Sequence, residues 1–167
     1  MQKGFTLIEL LVVIAVLGVL ASIVIIAVNP LEQLARSRDT SRISSVVQIG
    51  FALDSYSVSQ NGSLPAASPT WMISLINSDD LRSAPSNPLY VLVTSAGCNS
   101  SNNHNGFCYE TAGTDAIVYS RLESNLYNRL CSGASWSLYS TADGREGTVC
   151  TPNASTDPVA GEQVFVD

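Results

Sequence analysis

One carboxylate stands alone in the first part of this chain. From Phe5 to Val28 every side chain is uncharged except Glu9. As an α-helix the run would be about 36 Å long, and a bilayer's hydrocarbon core takes roughly 20 such apolar residues. An ionised acid at the centre of a spanning helix costs on the order of 2.5–3.5 kcal/mol. Glu9 lies near the end, where the cost is smaller and the side chain can snorkel. Two chemistries therefore fit. Glu9 is an interfacial acid tolerated where it stands, or a carboxylate that waits for a cation.

Sulfur offers a second chemistry. Cys98, Cys108, Cys131 and Cys150 all fall in the second half, and none forms a C-x-x-C pair. That disfavours a zinc or thioredoxin-type site. An even count in an exported domain suggests two disulfides, with three pairings open. The short local loops favour Cys98–Cys108 and Cys131–Cys150, each stabilising by roughly 3 kcal/mol. Free buried thiols are the alternative. His104 is the one histidine, and nothing around it nominates a nucleophile or an orienting acid. It reads as a loop residue, and no catalytic set emerges elsewhere.

The letters around Glu9 carry more information. Gly4-Phe5-Thr6-Leu7-Ile8-Glu9 resembles the processing motif of type IV pilins and pseudopilins. The resemblance is specific over residues 2–28, looser over 29–62 and architectural beyond. It implies that a membrane-embedded prepilin peptidase cuts after Gly4 and that Phe5 becomes the N-methylated first residue. It also implies that Glu9 attracts the new α-amine of a neighbouring subunit during assembly. Physical chemistry agrees with each role. An α-amine has a pKa of about 7.7–8.0 and is mostly cationic at neutral pH. In an apolar helix bundle such a pair relieves mutual desolvation and can set register. Glycine before the cut leaves the backbone open to a protease. An ordinary signal peptide fits less well, because this run is longer than a 7–15-residue core and Ala27-Val28-Asn29 is not an A-x-A site.

The resemblance implies an α+β, pilin-like fold. A leader (1–4) and a membrane or filament-core helix (5–28) are followed by an amphipathic half-helix (29–56) and a disulfide-containing head with a loose C-terminal tail (57–167). Residues 57–167 carry four Arg and ten Asp or Glu, so the head holds the whole net charge of −6. Such a head is a poor partner for nucleic acid or anionic lipid. Some pseudopilins hold calcium in C-terminal loops, and Asp143, Glu146, Asp157 and Asp167 could supply oxygens. They are dispersed without EF-hand spacing, so the expectation is no cofactor and no metal. Orientation is contested. Arg36, Arg38 and Arg42 outnumber Lys3, and by count alone they would keep the head cytoplasmic. The cysteines and the leader point the head outward.

Asn29-Pro30 should kink or break the helix. Ile43, Val46, Val47, Gly50, Leu53 and Tyr56 then share one helical face. Arg36-Ser37-Arg38-Asp39 reads as a solvated face, or as a contact with the next subunit. Gly62 suits a left-handed cap, and Ser68-Pro69-Thr70 can open a short helix to Asn77. Strands are expected over Leu89–Thr94, Tyr109–Thr111 and Ala116–Leu122. A hairpin should pair Trp136–Ser140 with Gly147–Cys150. Gly18, Ala15, Ala21 and Ser22 offer small positions for helix packing, or are filler.

The resulting expectation is a non-enzymatic subunit, inserted in the cytoplasmic membrane with the head outside and then drawn into an extracellular or periplasmic filament. Its partners would be copies of itself, prepilin peptidase, and an assembly platform with its ATPase. A minor pilin or pseudopilin acting as a binding module for a surface, DNA or secreted cargo is the alternative. A signal-anchored periplasmic enzyme is the third class, disfavoured by the missing catalytic set.

Overall fold

A computed structural model of the chain describes residues 4–93, 97, 98 and 102–166. Two compact units divide it, residues 1–34 and 35–167.

In the first unit, α1 runs Leu7–Val28, with Thr6 as its N-cap. Its described large apolar side chains, from Leu7 to Val28, are exposed. Among the described residues it is the one helix long and apolar enough to cross a membrane, over Leu7–Ile25. The helix stops at Asn29, which turns left-handed at φ 45°. Pro30 opens α2 (Pro30–Ser59), where its fixed φ suits a first helical position and its missing N–H leaves nothing unpaired. The break therefore falls at the expected dipeptide.

In the second unit, α2 buries Ala35, Asp39, Arg42, Val46, Ile49 and Leu53. That spacing is one continuous helical stripe. Ile43, Val47 and Tyr56, expected on the core face, are only half-buried at its flank. Gly50 lies on the buried side because a Cβ there would meet the Tyr139 ring at 2.3 Å. Gly62 takes φ 84°, its N–H bonded to the Ser57 carbonyl at 2.7 Å, and ends the helix as expected. Then α3 (Trp71–Asn77) buries Trp71, Met72 and Leu75.

Five strands follow in an antiparallel meander: β1 Asn103–His104, β2 Phe107–Ala112, β3 Asp115–Arg121, β4 Ala134–Ser140 and β5 Arg145–Thr151. A short helix, α4 (Asn125–Asn128), joins β3 to β4. Every residue of β3 and β4 is buried, because the sheet is covered on both faces. One face, with Tyr109, Ala116, Val118 and Tyr139, packs on α2 and α3. The other, with Ile117, Tyr119, Trp136, Leu138 and Val149, is covered by Ala160, Phe165 and Cys98.

Two expectations need correction. The tail is not loose where it meets the sheet. Phe165 bridges to Val149, and the Val166 N–H donates to the Thr148 carbonyl at 2.8 Å. Gly147 makes room for the Phe165 ring, and Arg145 lies over that ring at 4.3 Å. Residues 89–93 form no strand; Thr94 lies outside the described residues. The N–H groups of Val91 and Leu92 go to the Glu123 carboxylate instead of a neighbouring strand.

Candidate functional site

Two clusters of polar chemistry stand out, one in each unit. The first is the mouth of α1. The Thr6 N–H donates to Glu9 Oε2 at 2.8 Å, and the Thr6 hydroxyl donates to the same oxygen at 2.6 Å. The Glu9 N–H donates back to Thr6 Oγ1 at 3.3 Å. This is a reciprocal capping box, formed because threonine and glutamate stand three apart at a helix start. It satisfies two of the amides that a helix N-terminus leaves open and sets a negative charge at the positive end of the dipole. Glu9 Oε1 has no partner among the described residues. Phe5, one residue before the cap, is 83% exposed. Gly4 has open space around it.

The second cluster is a buried ionic clamp in the head. Arg42 Nη1 donates to Asp39 Oδ1 at 2.8 Å and to Glu123 Oε1 at 3.1 Å, with all three side chains fully buried. Arg38 Nε donates to the same Glu123 oxygen. Asp39 accepts the backbone N–H groups of Glu123 and Ser124, which pins the β3–α4 turn to α2. Arg42 also reaches the loop before β1. Its Nε donates to Asn87 Oδ1 at 2.9 Å, its Nη2 donates to the Pro88 carbonyl at 2.9 Å, and its guanidinium lies 3.8 Å from the Tyr90 ring centroid. Burial alone would raise the Glu123 carboxyl. Hydrogen bonds from Arg38, from the Leu92 and Val91 amides and from Arg42 outweigh it and hold the group at about 2.

Sequence reasoning missed this clamp and read Asp39 as solvated. The correction follows from pairing, since a buried charge survives only with a close, fully bonded partner. One local signal was present. Asp39 and Arg42 extend the stripe of Val46, Ile49 and Leu53 backwards at i, i+3, i+7, i+10 and i+14. Glu123, far off in sequence, gave none.

Cys98 lies against Cys108 with Cα atoms 6.2 Å apart, and Cys131 against Cys150 at 5.4 Å, each pair disulfide-bonded. His104 sits in β1 opposite Phe107. Two of the acids considered for calcium make other bonds. Asp143 accepts from Gln163 at 2.9 Å and Glu146 from Ser137 at 2.9 Å; Asp167 lies outside the described residues. Among the described residues no three His, Cys, Asp or Glu side chains gather as a metal would need.

The mouth of α1 and its apolar helix define a class. Residues 1–25 match the family described as "Prokaryotic N-terminal methylation motif", and with the α+β layout the chain is recognised as pilin-like. The chain is also similar to "Type II secretion system core protein G" of Pectobacterium carotovorum subsp. carotovorum, 40% identical over 60 residues. That match covers 36% of this chain and 37% of the relative, so the chain spans little more than a third of the curated protein it resembles. No solved structure matches.

Proposed function

We propose that this chain is a structural subunit of a type IV pilus or secretion-type pseudopilus. The precursor sits in the cytoplasmic membrane through α1 with its head outside. Prepilin peptidase removes residues 1–4 and methylates Phe5, and an assembly platform with its ATPase draws the subunit into a helical filament. The chemistry is association rather than turnover. Helices equivalent to α1 exchange lipid for one another, and dispersion and close packing at small residues such as Gly18 hold them.

Glu9 acts in two stages on this reading. Before the cut it caps its own helix through Thr6. Afterwards the α-amine of Phe5 on another subunit approaches Oε1, and the two charges relieve each other in an apolar bundle. Lys3 is the one lysine in the sequence. Once the leader is gone, the Phe5 amine is the chain's only amino group, and α1 has no competing cation of its own.

The observation that carries the reading is the methylation motif over residues 1–25, with Glu9 held at the end of an exposed apolar helix. The likeness to a type II secretion core protein supports a filament over the matched part alone. Intact-mass analysis of protein isolated from its host tests the reading. The expected species begins at Phe5 and carries one added methyl group. A chain that begins at Met1, or near Asn29, would overturn it.

A further inference from the structure

We propose that residues 163–166 are an edge guard: they lie along the outer edge of β5 and prevent that strand from pairing with β5 of a second copy. Such a guard serves a subunit of either kind of filament, by blocking a contact rather than making one.

The two edges of the sheet differ. Among the described residues it ends at β1 on one side and at β5 on the other. β1 is two residues long, too short to template a partner. β5 has seven residues, and only Arg145 and Glu146 bring charge to it. Gly147-Thr148-Val149-Cys150-Thr151 is uncharged, with β-branched side chains at 148, 149 and 151. A long, neutral edge of that composition invites another strand. The Val166 N–H reaches the Thr148 carbonyl at 2.8 Å, so the backbone groups of Thr148 face away from β4. In an antiparallel ladder those of Glu146 and Cys150 face the same way. That outward row is what a second β5 would pair with.

The tail is fixed on this edge by side chains more than by backbone. Gln163 Nε2 donates to Ser140 Oγ and to Asp143 Oδ2, each at 2.9 Å, while Gln163 Oε1 accepts the Gly161 N–H at 2.8 Å. The Phe165 ring fills the space that Gly147 leaves, 2.5 Å from where a Cβ would stand, and Arg145 lies over it at 4.3 Å. Phe165 and Val149 pair in a single antiparallel bridge, and Val164 beside it is 72% exposed. The segment therefore adds little sheet of its own. What it does is deny a partner the register along β5, as a proline or an inward charge does on other edges. Copies gathered side by side through α1 meet at high effective concentration, where an open edge would pair them. β5 against β5 is a two-fold contact, so its product is a closed dimer.

The test ends the chain after Glu162 and compares it with the parent in the same detergent by light scattering. The expected result is a doubling of protein mass per particle, with the near-ultraviolet circular dichroism of Trp71 and Trp136 retained. Adding Thr148→Pro to the shortened chain should restore the parent mass, because proline there removes an outward N–H and costs no bond to β4. A shortened chain at the parent mass would overturn the guard. So would a doubling that Thr148→Pro leaves in place. The unaltered chain gives a readout free of any folding defect. Its Val166 amide should exchange with deuterium at least about tenfold more slowly than an amide in an unstructured chain. Exchange at the unstructured rate would show that the tail is not seated on β5, and the guard would fall with it.

Discussion

The two units treat a key carboxylate in opposite ways. In α1, the bonds of Glu9 among the described residues lie within its own first turn and cap, on a helix whose described large apolar side chains are exposed. In the head, Glu123 is gripped by two arginines and two amides from distant parts of the chain. Among the described residues the first arrangement leaves an oxygen without a partner and a long apolar surface uncovered, which suits a part completed by another molecule. The second closes on itself and fixes shape. On the proposed filament reading, incomplete local bonding marks the end that assembles, and dense non-local bonding marks the scaffold.

Breaking the clamp should give the largest effect. Arg42→Ala leaves Asp39 buried without its cation and Glu123 with Arg38 alone, a loss of about 3–5 kcal/mol. Thermal unfolding of the variant should show a large drop in Tm, while trimming at Gly4 continues unchanged. A Tm at the parent value would show that the clamp is dispensable.

Acid should loosen the same region. The Glu123 carboxyl lies at about 2 in the folded head, below its usual 4.5. A lowered carboxyl stabilises the fold above the unfolded value and loses that contribution as pH falls through the folded one. Stability should therefore be full above about pH 5 and decline by roughly 3 kcal/mol toward pH 2. Urea titrations across that window check the slope, and Glu123→Gln should flatten it.

Gly50→Ala should cost less, about 1–3 kcal/mol, because the Tyr139 ring must move from a Cβ it would meet at 2.3 Å. Denaturant midpoints of the two proteins compare this directly. Thr6→Ala is the smallest change, about 1 kcal/mol of local helix stability from the lost cap. It should fray the first turn of α1 in detergent, as amide exchange would show, and leave the head's Tm untouched.

The same contrast explains what could be read in advance. The Glu9 motif, the helix break at Asn29-Pro30 and the Gly62 cap are set by neighbours within four residues, and each stands where expected. The hairpin of β4 and β5 was visible from its turn residues. The clamp was not, because Glu123 reaches Arg42 across 81 positions and a charged letter in a helix looks solvated until its partner is known. The same gap led to a strand over Leu89–Thr94. Its apolar letters suit a strand, but a carboxylate elsewhere takes its amides. The tail escaped notice because Phe165 is held by space at Gly147 and by Arg145, which no local period records.

Glu9→Gln separates the two stages proposed for the site. Glutamine can still complete a capping box with threonine, so the helix start survives while the charge is removed. The deciding measurement is filament yield from Glu9→Gln cells, alongside the intact mass of the variant. The account predicts chains that begin at methylated Phe5 and fail to polymerise. Filaments at parental yield from such chains would contradict it.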